Sequence, residues 1–338
     1  MKIINNKSDA IEELKRISTR TNSEKNNKIN AIVAEILLEV KTYGDIAVEK
    51  YTRKFDGFNP KPMQVSSNDL KNAWEEIDND LKHSLESAHK RIKKFHEKEI
   101  PSSFTIEGEH GDKVQRRWRP VTKAGIYIPG GRAAYPSTVL MNAIPAKVAG
   151  VEDIIMVSPG NKEGKINKTV LAAAHLSGIK KVFRIGGAQA IGALAFGTNQ
   201  INKVDVISGP GNIYVTTAKK LIYGSTGIDS LAGPSEILII ADETAQSTHI
   251  ASDLLAQAEH DPLASSILLT TSMEQAKKVL EELYKKIDDN PRKEICMQSI
   301  KNWGLIVVCD NYKSCIELSN TFAPVSYTHL TLPTTTIV

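Results

Sequence analysis

Two different patterns of apolar positions divide the chain near residue 110. Before that point apolar residues recur every three or four positions, which is the spacing of one helix face. Such a face runs through residues 25–54, and another follows the stretch "SSNDL", where Ser66 and Asp69 have the spacing of a helix-capping box. The apolar stripe of that second helix consists of Leu70, Trp74, Ile77, Leu81 and Leu85. The first third of the chain is therefore predicted to be helical.

After residue 110 the apolar residues form short continuous runs, separated mostly by helical segments. Between residues 124 and 208 these runs begin every 23–29 residues. Continuous apolar strands that alternate with helices indicate a parallel sheet covered on both faces. The runs are residues 124–129, 153–158, 181–185, 204–208, 236–242, 266–271 and 304–310. The predicted fold class is α/β, with two incomplete Rossmann-like parallel-sheet domains and an N-terminal helical region.

The predicted domain borders follow from a Gly/Ser-rich stretch at residues 223–235, interpreted as a connection between the two halves. The first α/β domain is expected to be discontinuous, with residues 1–122 joined to residues 236–324. The second Rossmann-like domain is expected to span residues 123–235.

Three glycine-containing turns follow predicted strands: "YIPGGRAAYPS", "RIGGAQAIGA" and "ISGPGNIYV". Turns at the carboxyl ends of parallel strands share one edge of the sheet, where ligands bind in open α/β folds. None of the three reads as G-x-G-x-x-G, and a single such turn is equally well an ordinary tight connection. Three in succession, with Gln189 and Asn212 at the starts of the following helices, favour a bound ligand whose anionic groups meet helix N-termini.

The stretch "LLAQAEHDP" (254–262) ends a predicted helix and carries three polar candidates for a metal site. On a helical projection Gln257 and His260 fall on one flank of the apolar face, whereas Glu259 points to nearly the opposite side. Imidazole and amide oxygen together suit zinc among other metals. On its own the pair is better explained by a histidine in the last helical turn, and zinc needs three or four ligands.

Composition excludes several classes of protein. The chain has 338 residues with 43 basic and 39 acidic side chains. The resulting net charge of +4 does not indicate a nucleic-acid-binding protein. Three cysteines form no C-x-x-C pair, which fits a reducing compartment. No signal peptide or membrane span is apparent, so we expect a soluble cytoplasmic protein without a membrane partner.

Four long segments make the chain resemble the histidinol dehydrogenase family: residues 118–151, 184–198, 204–242 and the stretch "LLAQAEHDP". The resemblance implies a zinc- and NAD-dependent homodimer that oxidises L-histidinol to L-histidine through L-histidinaldehyde, the last step of histidine biosynthesis. It implies NAD contacts at Tyr127, Gln189 and Asn212. It also implies a substrate contact at Ser235. Gln257 and His260 match two zinc ligands, which also place them beside the substrate.

The resemblance breaks down after Pro324. The family carries a catalytic Glu-His pair in "FAPEHLEL", where this chain has Val325 and Ser326 in "FAPVSYTHL". Residues 325–338 contain no Asp, Glu, Lys or Arg, and five of the 14 are Thr. We interpret residues 325–338 as a foreign tail on a truncated or chimeric sequence, and we reject His329 as a displaced catalytic histidine.

Three hypotheses follow. The first is a histidinol dehydrogenase by descent, inactive as written because the Glu-His pair and two zinc ligands are missing. The second is a non-catalytic dinucleotide-binding or dimer-partner protein. Under any of the hypotheses, the homodimer is expected for the full-length family and is doubtful for this chain. The third is a cysteine-dependent aldehyde dehydrogenase, which predicts that Cys309 or Cys315 is exposed and reactive.

Overall fold

A computed structural model describes residues 1–20, 24–130, 134–231, 235–324 and 326–330, without the side chains of residues 24–26, 329 and 330. The chain divides into two compact units. We call Asn27–Ala232 the central unit, and Met1–Asn26 with Gly233–Val338 the split unit. Each unit has its own parallel sheet, which confirms the predicted α/β fold class.

The secondary structure of the described residues alternates as the apolar pattern predicts. The chain opens with β1 (Lys2–Ile4) and α1 (Lys7–Ser18) of the split unit. The elements of the central unit are α2 (Glu24–Tyr43), which begins just before the border, α3 (Asp45–Asp56), α4 (Ser67–Glu76), α5 (Asn79–His96), β2 (Phe104–Glu107), β3 (Lys113–Arg116), β4 (Lys123–Tyr127), α6 (Pro136–Val148), β5 (Asp153–Val157), α7 (Lys168–Leu176), β6 (Lys181–Phe183), α8 (Gly187–Phe196), β7 (Val206–Ser208), α9 (Ile213–Ile222) and β8 (Gly227–Ile228). The split unit resumes with β9 (Glu236–Ala241), α10 (Ser247–Ala258), β10 (Ser265–Thr270), α11 (Met273–Asp288), α12 (Lys293–Trp303), β11 (Leu305–Val308), α13 (Tyr312–Phe322) and β12 (Ser326–Leu330).

The sheet of the central unit has the strand order β6-β5-β4-β7-β8, and all its neighbours are parallel. Side chains of each strand alternate between two cores. One core packs against α2, α3, α8 and α9, and the other against α4, α5, α6 and α7. Both faces are therefore covered, as a parallel sheet with apolar strands requires.

The sheet of the split unit has the order β1-β11-β10-β9-β12, again with parallel neighbours. One face packs against α10, α11 and α12, and the other against α1 and α13. The edge strand β12 comes from residues that the sequence interpretation assigned to a foreign tail. Its backbone pairs with β9, for example His329 with Ile240. The side chain of His329 and residues 331–338 lie outside the described part of the chain.

Two predicted helices are each broken into a pair. Residues 25–54 form α2 and α3, separated at Gly44, whose φ of 54° is in the left-handed region. The stripe from Leu70 to Leu85 spans α4 and α5, because Asp78 starts a new helix by accepting a hydrogen bond from the Leu81 N–H at 2.7 Å. The predicted cap at Ser66 is confirmed: its hydroxyl accepts from the Asp69 N–H at 3.1 Å.

The division into units differs from the predicted domain borders at the N-terminal helices. Residues 27–122 fold with the sheet of residues 123–228 rather than with residues 236–324. Helix α2 lies close on α8 because Gly192 has no side chain; a Cβ there would lie 3.2 Å from side-chain atoms of Leu37 and Val40. An apolar helix face shows that a helix packs, but not on which sheet it packs.

Several short strands were not predicted, namely β1, the hairpin of β2 and β3, β8 and β12. The predicted connection at residues 223–235 contains β8, which extends the central sheet. Residues 232–234 of this connection lie outside the described part of the chain. Among the described helices, none is both long and apolar enough to cross a membrane.

Candidate functional site

Three turns meet at the carboxyl edge of the central sheet, after β4, β6 and β7. The first two are held together by Pro159, which follows β5 between them. A Cβ on Gly130 would lie 2.4 Å from Pro159 Cγ, and one on Gly186 would lie 2.6 Å from Pro159 Cβ. These two glycines are therefore required for packing against the proline, in addition to any approach of a ligand. Gly131, adjacent to the first, lies outside the described residues.

The third turn is fixed by a different set of contacts. Gly209 has a φ of +113°, and a Cβ there would lie 2.1 Å from the Tyr127 carbonyl oxygen, so only glycine fits. Its N–H donates to an Asp229 carboxylate oxygen at 2.8 Å, and its carbonyl accepts from Lys219 Nζ at 3.0 Å. Lys219 is 3% exposed and also forms an ion pair with Asp229. A buried cation thus supports this turn.

A cavity of about 760 Å³ opens beside these turns, within the size range of roughly 300–1,000 Å³ that is typical of small-molecule sites. It is lined by all three residues expected to contact the cofactor, Tyr127, Gln189 and Asn212. The central unit therefore brings together side chains that are separated by up to 85 positions in the chain. Its other wall comes from α2 and α3: Ile32, Glu35, Ile36, Tyr51, Lys54, Phe55 and Asp56.

Tyr127 presents a neutral hydroxyl to the cavity. Burial raises the pKa of Tyr127 to about 12, despite the hydrogen bond that its oxygen accepts from the Gly187 N–H, and the nearby Asp56 carboxyl adds to the rise. With its oxygen lone pair occupied by Gly187, the hydroxyl hydrogen remains free to donate to a ligand.

Gln189 has a buried amide whose hydrogen-bonding capacity is unused. The residue is 1% exposed, and neither Nε2 nor Oε1 has a hydrogen-bond partner within the described structure. A buried amide without partners lowers the stability of the folded protein, by about 1–3 kcal/mol in mutational series. An unpartnered amide that faces a cavity is what a site for a polar ligand requires.

Asn212 lies at the N-cap of α9 and has a divided role. Its Oδ1 accepts from the N–H groups of Tyr214 at 3.0 Å and Val215 at 3.1 Å. The amide nitrogen is the part of this side chain that remains for a ligand. The N-termini of α8 and α9 also lie at this edge, and helix N-termini favour phosphate groups.

Aromatic and charged groups complete the α2–α3 wall of the cavity. The Phe55 ring stacks on the Tyr51 ring with a centroid distance of 5.7 Å and an interplanar angle of 12°. Phe55 is half-exposed, and Lys54 Nζ lies over its ring, 5.5 Å from the centroid. Lys54 and Lys162 place two cations at the cavity, and Glu35 and Asp56 place two carboxyl groups there.

A second cavity, of about 850 Å³, lies beyond Pro129 and Pro159 and is lined mainly by α4, α7 and the loop between β5 and α7. It is slightly larger, but it contains none of the three predicted cofactor residues. The unused buried amide of Gln189 lies in the smaller cavity. We therefore take the smaller cavity as the candidate site.

The remaining predicted residues, Ser235, Gln257 and His260, belong to the split unit. Ser235 precedes β9, and α10 runs back from the end of β9 toward its start, so Gln257 and His260 return to the same amino edge of that sheet. The Ser235 carbonyl accepts from the Ser265 N–H at 3.1 Å, which marks this edge between β9 and β10. The predicted substrate and metal residues thus lie at the amino edge of strands β9 and β10, opposite to the carboxyl ends of these strands.

The metal pair fits a zinc site only in part. Gln257 Nε2 is buried without a hydrogen-bond partner, and His260 is exposed in the turn after α10. Glu259 accepts a hydrogen bond from Asn290 Nδ2 at 3.2 Å, so its carboxylate has a protein partner instead of a metal. Among the described residues no group of three or more His, Cys, Asp or Glu side chains is placed to hold a metal. The metal role of Gln257 and His260 therefore stays a prediction.

The cysteines do not support a cysteine-dependent mechanism. Cys296, Cys309 and Cys315 are all buried free thiols. A hydrogen bond with Cys315, together with burial, raises the pKa of Cys309, and burial raises the pKa of Cys296. The exposed thiol that the third hypothesis requires is not found at Cys309 or Cys315.

Sequence reasoning missed three residues that shape the site. Pro159 and Lys219 give no motif signal, because each acts through a contact with a distant glycine turn. Asp56 lies in "KFDG" (54–57), where the glycine indicates only an ordinary helix end. Only its position beside Tyr127 singles it out.

The chain is similar to known proteins over most of its length. A family model for histidinol dehydrogenase matches residues 19–337. The histidinol dehydrogenase of Prochlorococcus marinus strain MIT 9312 is 88% identical over 324 residues, which are 96% of this chain and 74% of that protein. The histidinol dehydrogenase of P. marinus subsp. pastoris, strain CCMP1986, is 76% identical over 338 residues, all of this chain and 79% of that protein.

One solved structure extends the comparison to three dimensions. The crystal structure of histidinol dehydrogenase from Elizabethkingia anophelis has a TM-score of 0.84 and 39% identity, and the match covers 90% of this chain and 70% of that one. The matches to the family model and to strain CCMP1986 extend into residues 325–338, so the foreign origin of this tail stays a prediction. On sequence and fold together, the chain belongs to the histidinol dehydrogenase family.

Proposed function

We propose that the central unit binds NAD and that the chain descends from an enzyme that oxidises L-histidinol to L-histidine. The observation that carries the proposal is the unpartnered amide of Gln189 in a cavity shared with Tyr127 and Asn212. Tyr127 and the Asn212 amide would donate hydrogen bonds, and the starts of α8 and α9 would meet the pyrophosphate. The half-exposed ring of Phe55 would add apolar contact to a base.

NAD supplies the hydride acceptor in the proposed reaction. The alcohol loses a hydride and a proton to give the aldehyde; water adds to the aldehyde, and the hydrate loses a second hydride and further protons to give the carboxylate. Two NAD molecules are reduced for each histidinol. The proton transfers need a general base, which the family provides through its Glu-His pair.

Zinc, where it is bound, would act as a Lewis acid and hold the substrate in place. Gln257 and His260 are the residues of this chain that would contribute to its coordination, with Ser235 beside the substrate. Homodimer formation, another family property, is likewise a proposal for this chain and is tested by light scattering of the purified protein.

We further propose that the 338-residue chain does not turn over L-histidinol, since Val325 and Ser326 replace the Glu-His pair. Calorimetry should detect NAD⁺ binding, whereas NADH absorbance should not rise with L-histidinol present. A chimera that takes its residues from 325 onward from the MIT 9312 relative should produce NADH. Turnover by the original chain would overturn the inactivity, and an inactive chimera would favour a non-catalytic dinucleotide-binding protein instead.

A further inference from the structure

Asp56 is an acidic side chain in the cavity that the described protein leaves without a neutralising contact. Its Oδ2 is buried and has no hydrogen-bond partner. Burial raises the pKa of Asp56 to about 6, so the carboxyl is mostly ionised near neutral pH. A partly buried carboxylate of this kind is normally paired or hydrogen-bonded.

The position of Asp56 in its helix makes the charge more unfavourable. It is the last residue of α3, and Gly57 follows with a left-handed φ of 76°. Backbone carbonyls at a helix C-terminus carry a partial negative charge, which disfavours an anion there. Burial and the helix end therefore both favour a neutral residue at position 56, and packing alone does not explain a carboxylate.

A carboxylate is also missing from the place where dinucleotide folds usually have one. In Rossmann folds an acidic residue near the end of the second strand binds ribose hydroxyls. Here the strand after the first turn is β5, which is followed by Ser158 and Pro159. The central unit therefore has a cavity of suitable size without the usual ribose-binding acid.

Asp56 has two aromatic neighbours at the cavity that suit a nucleoside. Phe55, which precedes it in the chain, is half-exposed, and Tyr127 is close enough for the Asp56 charge to influence its pKa. We propose, on the basis of the proposed NAD function, that Asp56 accepts hydrogen bonds from the adenosine ribose hydroxyls of NAD and repels a dinucleotide with a 2′-phosphate. The acid of the usual second strand is thus replaced by one from α3.

The test measures dissociation constants of NAD⁺ and NADP⁺ by calorimetry with the full 338-residue chain, at a pH of about 8, above the Asp56 pKa. The wild type should prefer NAD⁺. Asp56→Asn should weaken NAD⁺ binding about tenfold, as expected for a lost hydrogen bond to a charged acceptor, and should leave NADP⁺ binding equal or tighter. Glu152→Gln is the matched control, because Glu152 is an exposed carboxyl of the central unit that does not line this cavity, and its preference should remain that of the wild type.

A second measurement does not depend on the folding of any variant. Replacing NAD⁺ by 2′-deoxy-NAD⁺ should weaken binding to the wild type by about the same factor as Asp56→Asn. If the wild type prefers NAD⁺ but loses nothing with the deoxy analogue, or if Asp56→Asn keeps the full preference, the ribose role is wrong while NAD binding stands. If the wild type binds neither dinucleotide, the proposed function itself fails.

Discussion

The Tyr127 hydroxyl oxygen accepts a hydrogen bond from the backbone N–H of Gly187 at 3.2 Å, which joins the turn after β4 to the turn before α8. The two residues are 60 positions apart, and Gly187 has a left-handed φ of 64°. One side chain therefore orders the edge of the cavity and keeps its hydroxyl hydrogen available to a ligand.

Replacing Tyr127 by Phe should reduce NAD⁺ affinity about 3- to 13-fold, the equivalent of about 0.6–1.5 kcal/mol for one hydrogen bond. The melting temperature should fall slightly, because Gly187 loses its partner. Tyr223→Phe, at an exposed tyrosine outside the cavity, is the control. Unchanged affinity in Tyr127→Phe would remove this hydroxyl from the binding site.

Replacing Gln189 by Met should separate stability from binding. The isosteric apolar side chain removes a buried amide without partners, so the free energy of unfolding without ligand should rise by about 1–3 kcal/mol, while NAD⁺ affinity should drop. Gln275 is a matched control: it is also buried, but its Nε2 donates to the Ala245 carbonyl at 2.6 Å, so Gln275→Met should destabilise. Chemical denaturation and calorimetry measure both effects, and loss of stability in Gln189→Met would show that the amide has a structural partner.

Replacing Lys219 by Met should destabilise the turn at Gly209. The change removes a charge-assisted hydrogen bond, worth about 1.5–3 kcal/mol, and leaves the Asp229 carboxylate without its cation. Because that carboxylate is partly exposed, water compensates in part and the lower end of this range is expected. Lys220→Met, at the exposed neighbour, should change the urea midpoint little, and equal midpoints for both variants would contradict a structural role for Lys219.

The Asp56 pKa predicts a particular dependence of stability on pH. The value is about 6 in the folded protein against 3.8 in the unfolded reference, so the folded state binds the proton more tightly. The contribution of Asp56 to the free energy of unfolding therefore decreases as the pH rises from about 4 to about 6. Asp56→Asn should be more stable than the wild type at pH 7, and the difference should vanish below about pH 4. Urea midpoints from pH 3.5 to 8 test this, with Glu35→Gln as control; a difference that is constant with pH would contradict it.

Zinc retention should be weak, because Gln257 and His260 supply only two ligands. After dialysis against metal-free buffer, the zinc content by mass spectrometry should be well below one ion per chain. His260→Ala should lower the residual zinc further, whereas His249→Ala, on the first turn of α10, should not. Stoichiometric zinc in the dialysed wild type would mean that other residues complete the site.

The apolar pattern predicted the seven main strands and the α/β class because buried parallel strands need continuous apolar runs, whatever their neighbours. The glycine turns singled out Gln189 and Asn212 at the starts of helices, and the family resemblance added Tyr127. The apolar pattern did not separate α4 from α5 in a single stripe of apolar positions, since Ile77 fits the helical spacing even though Asp78 begins a new helix.

The sequence by itself determined which segments form strands, which turns contain glycine and which amide and imidazole groups are candidate ligands. The tertiary structure decided that α2–α5 pack on the central sheet, that Pro159 and Lys219 support the glycine turns, and that Asp56 faces the same cavity as Gln189. Local spacing encodes periodicity and caps. The order of strands in the sheet decides which residues tens of positions apart come into contact. Those contacts determine where a helix face packs, what a buried lysine binds and whether a carboxyl is left unpaired.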